Sequence, residues 1–384
     1  MTEVLIIGGG PVGLFMAALL LQSGVSVRVL EQRTGRELHS RAIGIHPPAL
    51  EALQRIGVAQ ELVGEGVAIR RGVAVGGGDV LAEMAFAGVS ESFPFVLSLP
   101  QTRTEAVLEQ CVRELDPGAV HRGVRFTGMR EDSGRVTVEG SSSAGPVRYS
   151  AALVIAADGV RSAVRTLQGT AVRARDYPDC YLMGDFADGT GFGPDAALFL
   201  APGGIVESFP LPGKLRRWVV RLDGSPPGGR GDGSGADARW LTERIRERTG
   251  LDVDPGSNSM LSGFGVRSRL VRQMVTGRTV LIGDAAHEVS PIGGQGMNLG
   301  LLDAVALAPL VCAGLHGAAV GAELRAFEGS RRRAAARAAG QSEINMALGR
   351  PLAGGPLRVR NRAIAAAAAV PAVNAFAARR FTMQ

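Results

Sequence analysis

Residues 3–7 (EVLII) form a short unbroken apolar run, the pattern of a strand covered on both faces. The next stretch, PVGLFMAALLLQSG, switches to helical spacing and stops at Gly24, a residue suited to the left-handed backbone that ends helices. VSVRVLE then reads as a second strand, so the chain opens with a βαβ unit, the start of a parallel, Rossmann-like sheet. Farther on, PPALEALQRIGVAQELV and QTRTEAVLEQCVREL predict one helix each. VRFTGMREDSGRVTVEG with VRYSAALVIAADG predicts a hairpin followed by a core strand.

From about residue 171 to 268 the period changes to short alternating stretches such as DAALFLAPGGIVESFPL and RRWVVRLDG, separated by Gly/Pro turns. These predict a mainly antiparallel sheet. Within the segment, DGSPPGGRGDGSGAD has the composition of a mobile loop. RTVLIGDAA returns to an apolar strand, helices follow to the end, and RAIAAAAAVPAVNAFAARR predicts a packed C-terminal helix. The expected architecture is therefore α/β, with a Rossmann-like domain over 1–170, an inserted β-sheet substrate domain over 171–268, and a return to the first domain with C-terminal helices over 269–384.

Composition narrows the function classes. At 384 residues, 46% hydrophobic and 20% charged, the chain is enzyme-sized and too apolar for disorder. The net charge of +6 comes from scattered arginines, Lys214 being the only lysine, with no basic arm or aromatic platform for nucleic acid. Cys111, Cys180 and Cys312 stand far apart without a CxxC, His39, His46, His121 and His316 show no partnered spacing, and no metal or triad signature occurs. The expectations are a reducing, cytoplasmic compartment, no metal, no nucleic acid and no membrane.

The candidate chemistry begins at Gly8-x-Gly10-x-x-Gly13, between the first strand and its helix. Gly8 permits a tight turn, Gly10 admits a pyrophosphate to the backbone, and Gly13 lets the helix lie close to the sheet. Pro11 and Val12 belong to the same turn. Glu31 ends the second strand, where a carboxylate can accept hydrogen bonds from ribose hydroxyls and would repel a 2′-phosphate. With Gln32 and Arg33 beside it, this site should hold FAD or NAD rather than NADP.

Two further segments carry a resemblance. LVIAADGVRSAVR contains Asp158 and Gly159, followed by Arg161, Ser162 and Arg165. VLIGDAAHEVSPIGGQGMNLG contains Asp284, Pro291, Gly293, Gly294, Gln295, Gly296, Met297 and Asn298. Together with the first glycine motif, and in this order across most of the chain, they resemble the single-component FAD-dependent aromatic hydroxylases, whose model member is p-hydroxybenzoate hydroxylase. The resemblance implies that Asp158 and Gly159 help bind FAD, that Asp284 hydrogen-bonds its ribityl chain or ribose, and that Pro291 packs near the flavin ring. It also implies that the glycines before the last helix turn free N–H groups and a helix dipole toward the ring, where charge gathers on reduction. Arg41 and Gln101 match positions that contact FAD in the family; a surface ion pair and a helix-start residue are their plainer roles. His287 is expected to be a structural hydrogen-bonding residue.

The resemblance further implies a reaction in which NADH or NADPH, docking transiently, reduces FAD, and one oxygen atom of O2 is delivered through a flavin C4a-hydroperoxide to a phenolic or polycyclic aromatic metabolite. Baeyer–Villiger oxidation, epoxidation, an FAD-dependent reductase and a non-catalytic FAD-binding protein remain alternatives, and the chain is expected to be a monomer or a dimer. Phe199, Phe209 and Trp218 are candidates for the substrate wall, or ordinary core aromatics. No catalytic residue is named.

Overall fold

The computed structural model of the chain describes residues 2–35, 42–132, 134–222 and 237–384. A six-stranded sheet runs in the order Val275–Thr276, Thr279–Leu281, Leu153–Ala156, Val4–Ile7, Val27–Glu31 and Val120–Arg122. It is parallel apart from its first pair, and Val4 lies between Val27 and Leu153. All four residues of Val4–Ile7 are buried, as expected of a strand flanked and covered on both faces. The first helix, Pro11–Gln22, ends with Gly24 at φ 79°, so the expected cap is present.

The predicted hairpin forms as the antiparallel sheet Arg125–Asp132, Arg135–Ser142 and Gly145–Ala151. Two local expectations need correcting. The helix expected over 47–63 is broken into Pro47–Gln54 and Ala59–Glu65, with Gly57 at φ 80° between them. The C-terminal helix is likewise two helices, Gly354–Ala368 and Pro371–Phe381, because Pro371 cannot continue the first and starts the second.

The large sheet has eight strands, in the order His287–Glu288, Met260–Val271, Val172–Ala187, Leu215–Leu222, Gly204–Leu211, Ala196–Ala201, Arg71–Gly76 and Asp79–Ala85. It reaches beyond the alternating segment that announced it. Arg71–Gly76 pairs in parallel with Ala196–Ala201, Gly72 opposite Ala196 and Val75 opposite Phe199, and Asp79–Ala85 closes the edge. Pairing across such a separation covers an edge that would otherwise be open, and no local pattern encodes it. The proposed loop over 223–237 lies outside the described residues except for Asp237, which caps the next helix by accepting the Trp240 N–H.

One face of this sheet is covered by the helix Ala238–Thr249, whose Leu241 and Ile245 join Val73, Phe199, Val206 and Trp218 in an apolar cluster. The opposite face looks across a cavity toward the glycine motifs. Gly296–Leu315 is the one helix among the described residues long and apolar enough to cross a membrane, but half of its apolar window is buried inside the protein. It packs against the first helix at Gly300, where an added Cβ would lie 2.4 Å from Val12 Cγ2 and 3.0 Å from the Gly283 Cα. This close approach sets the N-terminus of the long helix beside the first glycine turn.

Candidate functional site

The first glycine turn is built for contact. Gly8 sits at φ 108° with its would-be Cβ 2.3 Å from the Ala157 carbonyl oxygen, and a Cβ on Gly13 would lie 2.0 Å from the Gly8 carbonyl oxygen. These two glycines are required by the backbone itself. Gly10 differs: a Cβ there would meet no atom within 4 Å and would project into open cavity. The first helix has no side chain capping its start, so its free N–H groups and positive dipole end are available to an anion.

Glu31 closes over this turn. Its carboxylate accepts the Gly9 N–H at 2.7 Å and, from Arg33, the backbone N–H at 2.8 Å and Nε–H at 3.0 Å. Burial opposes its ionisation, but the hydrogen bonds and charge of Arg33, with the Gly9 N–H, outweigh that and hold the carboxyl below its usual range. Gln32 accepts from Arg125 Nη1 at 3.2 Å, and Gln101, first residue of Gln101–Leu115, donates to Glu105 Oε1 at 2.8 Å. Arg41 lies outside the described residues.

Asp158 and Asp284 stand at the ends of adjacent strands. One oxygen of Asp158 accepts the Val164 N–H at 3.2 Å; its Oδ1 is buried with no partner among the described residues, and burial raises its pKa. Arg165 ties the two motifs together by donating to the carbonyls of Val160 at 2.7 Å and Ala285 at 2.9 Å. Its backbone N–H is accepted by Ser162 Oγ, which caps the short helix. Asp284 lines the cavity, and burial pushes its pKa up to about 6, partly offset by His287.

The raised pKa of Asp284 has a testable consequence. An unfolded chain releases this proton near pH 3.8 and the folded one near 6, so the folded flavin-free protein binds the extra proton across that interval and loses stability as pH rises through it. The stability of flavin-free Asp284→Asn relative to wild type should therefore grow between pH 4 and pH 6.5 and then level off. Urea midpoints across that range measure it, and a difference independent of pH would refute the assignment.

Between Pro291 and the long helix the backbone is left-handed at Gly293 and Gly294, with φ of 97° and 66°. Pro291, Gly294, Gly296 and Met297 line the cavity, and the helix begins without a side-chain cap. Asn298 does not reach the cavity. It is fully buried, donates to the carbonyls of Gly294 at 2.7 Å and Gly44 at 3.0 Å, and accepts the His46 N–H at 2.8 Å. Gln295 is also buried, donating to the Phe381 carbonyl at 3.3 Å, and Gly13 is enclosed by the Gly8 backbone. These three shape the site from behind; the other described candidates all line it.

Two features beyond the expected set complete the surroundings. His46 is buried beneath Gly293 and Gly294 and lines the cavity; burial pushes its pKa down to about 4, so the imidazole there is neutral. Asp303, itself fully buried, accepts the Gly283 N–H at 2.9 Å, His287 Nε2–H at 2.6 Å and the Nε–H of the partly exposed Arg331 at 2.6 Å. His287 is thus the structural hydrogen-bonding residue expected. Burial works against its charge, but Asp303 raises its pKa and the imidazolium in turn holds Asp303 low. Asp303 is the only charged residue in Gly296–Leu315, a signal in the sequence that a buried partner would be found for it.

These elements enclose one cavity of about 1380 Å³, running from Gly8 and Gly10 past Asp158 and Asp284 to Gly293 and onto the sheet. The donor set suits a dinucleotide: anion-binding helix ends, carboxylates for hydroxyl groups, and glycines that leave room for a flat ring. Of the three candidate wall aromatics, Phe209 lines the cavity. Phe199 and Trp218 point to the opposite face, stacked on each other at 6.1 Å, because successive strand residues alternate sides.

The family described as "FAD binding domain" matches residues 1–342. Para-nitrophenol 4-monooxygenase of Pseudomonas sp. (strain WBC-3) is 31% identical over 326 residues, covering 81% of this chain and 77% of that protein. 6-Methylpretetramide 4-monooxygenase of Streptomyces rimosus is 31% identical over 315 residues, 80% of this chain but only 55% of the relative, so the chain spans about half of that protein. Among solved structures, p-nitrophenol 4-monooxygenase PnpA from Pseudomonas putida DLL-E4 is similar at a TM-score of 0.88 and 26% identity, over 100% of this chain and 98% of that one.

Proposed function

Because the chain belongs to the FAD-dependent aromatic hydroxylase family, we propose that it is a monooxygenase that places one oxygen atom from O2 on a phenolic or polycyclic aromatic metabolite, with NADH or NADPH as transient reductant. The observation that carries this is the continuity of the cavity from the dinucleotide elements to a largely apolar chamber formed by Met183, Leu198, Val219 and Phe264 on the sheet. Ile292, next to the left-handed glycine pair, packs in the same cluster as Met183, Val219 and Phe264. Gly293 and Gly294 would hold a flat ring beside a chamber that takes aromatic ligands and sheds water.

Bound FAD supplies the electron transfer and oxygen activation. The chain's own residues do the rest: the two helix N-termini stabilise negative charge on phosphate and ring, Asp158 and Asp284 orient hydroxyl groups, and neutral His46 supports the glycine loop without adding charge. Expected results are anaerobic bleaching of the flavin by NADH or NADPH, accelerated by an aromatic ligand, and transfer of one labelled atom from 18O2 to product. Ligand-independent reduction without label in product would point to a reductase, and label in a ring-expanded ester or an epoxide would move the reaction class.

A further inference from the structure

The strand Gly204–Leu211, GIVESFPL, carries one acidic residue, Glu207, and apart from it and Ser208 is apolar. Alternation puts Glu207 on the same face as Ile205 and Phe209, and all three line the cavity. Across the sheet Glu207 stands between Val219 and Leu198, with Met183 one strand beyond Val219. Glu207 is only 7% exposed, and its carboxyl has no hydrogen-bond partner among the described residues. Its charged neighbour on that face, Arg217, is committed to Asp185 through two bonds of 2.7 and 2.8 Å. Tyr181, with a buried hydroxyl that also lacks a partner among the described residues, is the other titratable group that senses its charge.

An unpaired carboxyl in an apolar chamber costs stability, and nothing in the packing of the sheet requires it. Its surroundings make sense if a ligand completes them. We propose that Glu207 is the polar anchor of the substrate chamber, accepting a hydrogen bond from the ring hydroxyl of a neutral, hydroxylated polycyclic aromatic and disfavouring ligands that bring a carboxylate. Apolar neighbours on both sides hold the ring system, and the carboxyl fixes which edge carries the hydroxyl. Burial pushes this carboxyl up to about 7, and a ligand carboxylate placed against it would set a second acid beside the first. The assignment rests on the monooxygenase reading for the reaction, but not for the binding preference.

The test uses flavin-loaded protein and matched probes: 1-naphthol and 1-hydroxypyrene, their parent hydrocarbons, and 1-naphthoate and 1-pyrenecarboxylate. Dissociation constants come from equilibrium dialysis and from perturbation of the flavin absorbance. Wild type should prefer at least one hydroxylated probe to its hydrocarbon by about ten- to a hundredfold and bind the carboxylates more weakly than either. Glu207→Leu, which replaces the unpaired acid by a residue the chamber accommodates, should reduce the preference to about twofold and remain folded. Glu207→Gln, which keeps one acceptor oxygen, should lie between. A wild-type protein that does not prefer the hydroxylated probes, or a preference that survives in Glu207→Leu, would overturn the anchor. If the preference follows Glu207 while no 18O enters any product, the anchor stands and the monooxygenase reading fails.

Discussion

Replacing Asp303 by alanine should destabilise the protein by about 3–5 kcal/mol and strip it of FAD, because the substitution leaves the buried His287 and the Arg331 guanidinium without their shared partner. The melting temperature should fall on the order of 10 °C, with the flavin-to-protein absorbance ratio falling in parallel. The cause is geometric as well as electrostatic. Asp303 sits on the long core helix and accepts the N–H of Gly283, the residue before Asp284, so it fixes the helix relative to the loop that carries the cavity-lining Asp284. The pH dependence has two sides. Since His287 is raised in the folded state, its share of the stability is complete below about pH 6.5 and is lost as pH rises through the folded value. Since Asp303 is lowered, its share is present above about pH 3.8 and is lost as pH falls through its folded value. The advantage of wild type over Asp303→Asn should therefore be greatest between these limits and shrink toward alkaline pH. A variant that melts within a degree of wild type and keeps its flavin would show that the network carries neither stability nor the site.

The second large effect separates two glycines of one motif. Gly10→Val should fold and lose FAD affinity by at least about a hundredfold, since its side chain enters space the protein leaves open and blocks the approach of a pyrophosphate. Gly13→Val should not yield a stable protein. Its Cβ would overlap the Gly8 carbonyl oxygen at 2.0 Å, and the overpacking cost exceeds the usual range of about 1–3 kcal/mol because backbone, not a flexible side chain, is in the way. Circular dichroism and flavin content measured on both variants test the contrast. Normal flavin content in Gly10→Val would remove the turn from the cofactor site, and a well-folded Gly13→Val would contradict the close packing of helix on strand.

Much of the candidate site was readable in the chain because its devices are local. Gly8, Gly10 and Gly13 work within a single turn, and Asp158 and Asp284 end apolar strands that any period analysis finds. Asn298 shows where such reading stops. Its position in a glycine-rich helix start suggested contact with the cofactor, yet its amide is taken up by Gly44, Gly294 and His46. His46 went unassigned for the complementary reason: its role depends on Gly293 and Gly294, far along the chain, and no nearby residue forecasts them. Trp218 and Phe209 were indistinguishable as aromatics in strands, whereas the register of the sheet sends one into the core and the other into the cavity.

By itself the sequence determined most element types, the opening βαβ unit and the glycine and carboxylate positions of the candidate dinucleotide site. Periodicity, turn chemistry and backbone sterics act over a few residues and leave their mark locally. Only the tertiary structure decided that Arg71–Gly76 joins the large sheet, that Asp303 couples His287 to Arg331, and that Glu207 faces the chamber without a partner among the described residues. Those outcomes depend on which distant surfaces meet and on what remains unpaired once they have, and burial and hydrogen-bond satisfaction are settled among all the elements together.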